Sequence, residues 1–193
     1  MSKKRIRDIR HDELIDAAIS AVATHGFARV TMTDIATSAG STAASINYYF
    51  GSKDQLIQAM MLRILGILKT ANLRRLARAE TPYDRFMAGL EANFDARLFT
   101  PEICAIWLQF WANAPNNAGL ARLQMINRRR VASHFHRELM QLVPQSRVQT
   151  VQTALQNYMD GVWLQAAMQR KEVDPDAARR DARRVAELLL KAG

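Results

Sequence analysis

Apolar residues recur at three-to-four-residue spacing in almost every segment of the chain, and this constrains its fold more than any other feature. Leu14, Ala18, Ile19 and Val22 share one face of a helix expected over residues 12–25. Gly26 is suited to end it, because glycine takes the left-handed backbone at no steric penalty. Thr31 or Thr33 can cap a short second helix through Ile35 and Ala36 to residue 38, with Asp34 in its first turn, where a negative charge complements the helix dipole. Ala39-Gly40-Ser41 reads as a tight turn, and Thr42 as the cap of a third short helix through Ser45, Ile46 and Tyr49. Ser52-Lys53-Asp54-Gln55 has the form of a capping box opening a long helix over residues 53–79. Further helices are expected over residues 82–97, 101–114, 118–142, 146–170 and 175–190, punctuated by prolines at 101, 115, 144 and 175. No hairpin signal or internal repeat interrupts this pattern, so the expected class is all-α.

Composition narrows the function classes. The 193 residues are about half hydrophobic and carry a formal net charge of +9, which suits a packed protein with an acidic partner such as nucleic acid. Residues 1–56 hold seven Lys/Arg against six Asp/Glu, so the global charge does not place a nucleic-acid site at the N-terminus. The local excess is an arm of Lys3, Lys4, Arg5, Arg7 and Arg10 against Asp8, which by itself reads as a solvated tail. Cys104, the only cysteine, sits in an apolar run and reads as a buried thiol. His134 and His136 are two apart, the wrong spacing for two ligands on one helix face, and neither a metal nor a cofactor is expected. The N-terminus lacks an apolar signal core, no uncharged stretch has the length of a bilayer span, and a soluble cytoplasmic protein is expected.

Two short helices joined by a glycine-containing turn and preceded by a packing helix have the form of a helix-turn-helix. Ile35, Ala36, Ala39 and Ile46 can hold the pair together, and the small residues Ala43, Ala44 and Ser45 allow close approach to a major groove. Thr42, Ala43, Ser45 and Asn47 are the candidate groove residues. Thr33, Tyr48 and Lys53 are candidates for phosphates, with Lys4 and Arg5 of the arm. Each element alone also occurs in ordinary helical cores.

The string Thr31-Met32-Thr33-Asp34-Ile35-Ala36, then Ala39-Gly40, then Tyr49-Phe50-Gly51-Ser52-Lys53-Asp54-Gln55-Leu56 resembles the DNA-binding signature of the TetR family of bacterial regulators. The match runs over about residues 10–57. Ser41 stands where the family usually has valine, and Ala44 where glycine is frequent. The resemblance implies a three-helix DNA-binding head over residues 1–56 and a helical effector-binding and dimerisation body over 57–193. It further implies a homodimer on a near-palindromic double-stranded operator.

The body is similar to one subgroup, the choline-responsive repressors of glycine-betaine synthesis genes. The similarity is carried by Asn93-Phe94-Asp95, Trp107-Leu108-Gln109-Phe110-Trp111, Arg122-Leu123-Gln124, Arg128-Arg129-Arg130 and Asp160-Gly161-Val162-Trp163-Leu164. It implies a quaternary ammonium effector, which cannot donate an N–H hydrogen bond and is held by aromatic faces. Phe94, Trp107, Trp111 and Trp163 are the candidates, with Asp95 as countercharge. By spacing alone the aromatic stripe reads as core and Asp95 as a solvated acid. The stripes Val148/Val151/Leu155/Met159/Val162 and Val185/Leu188/Leu189 are candidates for the dimer interface, or for the body's own core. The competing functions are a repressor of an efflux or catabolic operon with a lipophilic effector, and a helical enzyme or scaffold without DNA binding. Against the enzyme, no catalytic constellation is present in the sequence.

Overall fold

The structure, a computed structural model, describes residues 3–169 and 172–191, with side chains from residue 8 onward. Helix α1 (Lys3–Arg29) is followed by α2 (Met32–Ser38), α3 (Ala43–Phe50) and the long α4 (Lys53–Leu76). The remainder is α5 (Pro82–Ala92), α6 (Pro101–Asn113), a 3-10 turn (Ala114–Asn116), α7 (Ala118–Leu139), α8 (Gln145–Gln169) and α9 (Pro175–Lys191).

Side-chain caps set the helix starts. Thr31, Thr42, Ser52, Thr81, Thr100 and Asn117 each accept a hydrogen bond from the backbone amide three residues on. Such a cap contributes about 1 kcal/mol. Thr31 and Asp34 form a complete capping box, the Asp34 carboxylate accepting from the Thr31 amide at 2.8 Å. At Ser52 only half of the expected box forms, because the Gln55 side chain meets the Ser52 hydroxyl rather than its amide. Asp174 caps α9 through the amides of Asp176 and Ala177.

Several boundaries differ from expectation. α1 begins at Lys3 rather than near residue 12, so the basic arm continues the first helix. α4 stops at Leu76. α5 ends at Ala92 instead of 97 because the side chains of Asn93 and Asp95 bond the local backbone: Asn93 Nδ2 donates to the Gly89 carbonyl, and the Arg97 amide donates to Asp95. The turns over residues 93–100 then bury Phe94, Leu98 and Phe99. Residue 170, at the expected end of α8, lies outside the described residues.

The buried residues form one apolar cluster from Leu14 in α1 to Ala186 in α9. α4 runs through it, giving Leu56, Ile57 and Met60 at its start and Ile64 and Leu65 further on. By length and composition α4 is apolar enough to cross a membrane, but these residues are packed inside the protein. Glu138 of α7 is fully buried and accepts from Arg85 Nε at 3.0 Å and Arg137 Nε at 2.7 Å. Burial pushes its carboxyl upward, but the two guanidiniums outweigh this and hold it below the usual range. The thiol of Cys104 is buried and pushed up to about 12.

The α8 stripe expected at a dimer interface is spent inside the protomer. Val148, Val151, Leu155 and Met159 are buried in its own core, where α8 packs against α6, α7 and α9. Leu164 and Met168 of α8 and Leu188 of α9 are the exposed apolar residues of these helices.

Candidate functional site

The helix-turn-helix is built as its sequence suggests, and Gly40 explains the turn: its φ of 54° lies in the left-handed region. Ile35, Ala36 and Ile46 are buried between the helices. The outward face carries Thr33, Thr42, Ala44, Asn47 and Tyr48, the last 80% exposed. Ala43 and Ser45, expected to face a groove, are only partly exposed. The Thr42 oxygen is engaged as the α3 cap, accepting from the Ser45 amide at 3.1 Å. Lys53 Nζ donates to the Ala28 carbonyl at 3.1 Å, which holds its ammonium beside the end of α1. The side chains of Lys4 and Arg5 lie outside the described residues.

The second candidate site is a cavity of about 460 Å³ walled by α4, α6, α7 and α8, with Asn93 and Leu98 from the segment after α5. Its spacing-derived aromatic stripe serves both as core and as lining. Trp107, Phe110 and Trp111 of α6 and Trp163 of α8 line the cavity, and Trp107 and Trp163 are also buried in the core cluster. The Trp107 ring lies 5.4 Å from that of Trp163 and 6.3 Å from that of Trp111, centroid to centroid.

Asp160 lines the same cavity, one helical turn before Trp163. Its carboxylate accepts from Gln156 Nε2 at 2.8 Å. Burial pushes its pKa up, against the opposing pull of Gln156 and the more distant Arg128 charge. A cation entering this space meets indole faces and a carboxylate whose desolvation it would relieve.

Two expected ligand residues are placed elsewhere. Phe94 is fully buried behind Phe99, whose ring packs on Trp163 at 5.4 Å. Asp95 does not line the cavity; it is held by Arg97 at 2.9 Å, which keeps its carboxyl below the ordinary value despite partial burial. Both fall outside the lining, although Asn93 and Leu98 of the same segment reach it. Sequence reasoning missed Asp160 as the cavity's acid, although its spacing of three from Trp163 was a usable signal. Arg128, an exposed residue of α7, also lines the cavity. Among the described residues no group of three His, Cys, Asp or Glu is placed to hold a metal. His134 packs its Nε2 3.0 Å from the Arg85 carbonyl oxygen.

α6 also touches the head. Gly26, at φ 82°, brings the end of α1 so close to Gln109 that a Cβ there would stand 2.9 Å from Oε1. The Phe27 amide donates to that oxygen. Leu68 of α4 lines the cavity from the side of the long helix.

The chain is similar to known proteins along its whole length. Residues 14–60 match the family model for bacterial regulatory proteins of the tetR family, and residues 82–191 match that for the C-terminal part of BetI-type transcriptional repressors. It is 32% identical over 191 residues to the HTH-type transcriptional regulator BetI of Burkholderia ambifaria, covering 98% of both chains. It is 33% identical over 192 residues to that of Paraburkholderia xenovorans, again covering 98% of both. In fold it resembles a transcriptional regulator from Saccharomonospora viridis solved in complex with choline, with a TM-score of 0.77, 20% identity, and 92% and 95% of the two chains covered.

Proposed function

Because the chain belongs to the TetR family of bacterial transcriptional regulators, with the C-terminal domain of BetI-type repressors, we propose that it represses transcription until choline or a related quaternary ammonium fills its body cavity. The genes it controls are those of glycine-betaine synthesis or choline uptake. The observation that carries this reading is the convergence of Trp107, Trp111, Trp163 and Asp160 on one cavity. Tryptophan faces attract quaternary ammonium better than other aromatic faces do. The choline complex of the Saccharomonospora viridis regulator supports the same effector class.

In this reading residues 1–56 bind operator DNA and residues 57–193 bind effector and pair two copies, in the cytoplasm. Thr42, Ala43, Ser45 and Asn47 approach the groove, and Thr33, Tyr48 and Lys53 approach phosphates, with Lys4 and Arg5 from the arm. The dimer forms through α8 and α9, where Leu164, Met168 and Leu188 are uncovered. A two-fold dimer reads a near-palindromic site with half-sites about one helical turn or a multiple apart, so a small movement of the heads breaks the register.

The test is a mobility-shift assay on the DNA upstream of the protein's own operon, titrated with choline. Binding that is lost as choline rises supports the reading. Binding that ignores choline but yields to lipophilic compounds points to an efflux or catabolic operon instead. No binding to this DNA sinks autoregulation as a repressor.

A further inference from the structure

Two features of the cavity exceed what a small cation needs. Its volume of about 460 Å³ lies in the range of pockets that enclose drug-sized ligands, on the order of 300–1,000 Å³. Its lining also contains one acid and one base, Asp160 and Arg128, so the formal charges cancel. A cavity shaped for a bare cation gains nothing from a guanidinium on its wall, since the like charge opposes binding.

Arg128 is not occupied elsewhere. Among the described residues it makes no hydrogen bond or ion pair, and Asp160 senses its charge without contact. Amide side chains flank it on the same wall: Gln124 and Asn127 of α7. The wall shared by α4 and α7 is basic beyond this point. A small adjoining chamber of about 80 Å³ shares Leu68, Asn93, Asn127 and Val131 with the main cavity and adds Lys69 and Arg130 with no carboxylate. The aromatic and acidic groups lie on α6 and α8, and the basic ones on α7 and α4.

We propose that the cavity takes a zwitterionic quaternary ammonium compound, its trimethylammonium against Trp107, Trp163 and Asp160 and its carboxylate against Arg128. The proposal rests on the ammonium reading given above and adds the second, anionic end. A planar carboxylate fits the guanidinium fork in two hydrogen bonds. Its single negative charge is balanced by one arginine, as the ammonium is by one aspartate.

The test is calorimetric titration of the full chain with choline, glycine betaine and carnitine at fixed ionic strength, repeated with Arg128→Gln and Arg128→Lys. At least one of the two zwitterions is expected to bind about ten-fold or more tighter than choline, the scale of one good charge-assisted pair. Arg128→Gln is expected to erase that advantage and Arg128→Lys to keep part of it. Choline binding as tightly as both zwitterions, or an advantage that survives Arg128→Gln, overturns the proposal and leaves the ammonium reading intact. If none of the three compounds binds, the ammonium reading fails and the proposal with it. Arg128 is exposed, and thermal melting of each variant checks that the fold is retained.

Discussion

Gln109 Oε1 accepts a hydrogen bond from the backbone amide of Phe27 at 2.6 Å, joining the helix that carries Trp107 and Trp111 to the end of α1. One residue of α6 thus grips the head while its neighbours line the cavity. A ligand that moves α6 moves this grip, and its effect on the head can be no larger than its differential affinity for the two states. Gln109→Ala is expected to leave effector binding near normal in calorimetry while weakening effector-driven release from DNA several-fold. The loss of an acceptor for a partly buried amide also lowers stability by about 1–3 kcal/mol. An unchanged release curve would show that the contact transmits nothing.

Trp107→Leu and Trp111→Leu keep apolar bulk and remove the indole face. Each is expected to leave operator binding near normal and to raise the effector concentration for half-release. The rise is about ten-fold at Trp107, where a desolvated cation–π contact is worth on the order of 1–2 kcal/mol. If both variants respond like the parent protein, the indoles serve packing alone.

Asp160 is expected to make binding of a cationic effector pH-dependent. The cation favours the ionised carboxylate, and protonation competes with it. Burial raises the pKa of this group, so effector affinity is expected to fall with decreasing pH beginning above the ordinary aspartate range, and to be retained at higher pH. Asp160→Asn is expected to bind more weakly and to lose the dependence. A parent protein whose affinity is flat down to the normal carboxylate range would contradict this assignment.

Lys53→Ala is expected to weaken binding to all DNA sequences and to reduce the slope of affinity against salt by about one unit. The variant also loses the bond to the Ala28 carbonyl, so its melting temperature is read alongside. A salt slope equal to the parent's removes Lys53 from the phosphate contacts.

The Cys104 thiol, pushed up to about 12 by burial, is expected to resist thiolate-directed labelling at neutral pH until the protein unfolds. Labelling of the native protein at the rate of an exposed cysteine would show that the core around α6 opens.

The starts of α2, α3 and α4 were legible because their caps are local: Thr42 and Ser52 act on amides three residues away, whatever the rest of the chain does. The indoles of Trp107, Trp111 and Trp163 were legible by chemistry and by their resemblance to a known pattern. Asp160 was missed because choosing between it and Asp95 depends on where residues 93–100 turn, a matter of side chains bonding backbone after α5. The apolar face of α8 was visible, but not its destination. Periodicity shows that Val148, Val151, Leu155 and Met159 share a side, and only packing shows that the protomer's own helices bury them without a second copy.

The unbroken apolar cluster along α4 limits how this protein can be rewired. Leu56 and Ile57 sit in adjacent positions of one helix and are both buried, so a graft that exchanges the head at this junction cuts through a packed turn. The grip of Gln109 on Phe27, closed over a glycine where a Cβ would force the Gln109 side chain to shift, adds a second seam that must match. A chimera with another operator preference therefore has to carry α1 through α4 as a block and adapt α6 to it. Changing the outward side chains of α3 within this scaffold disturbs neither seam.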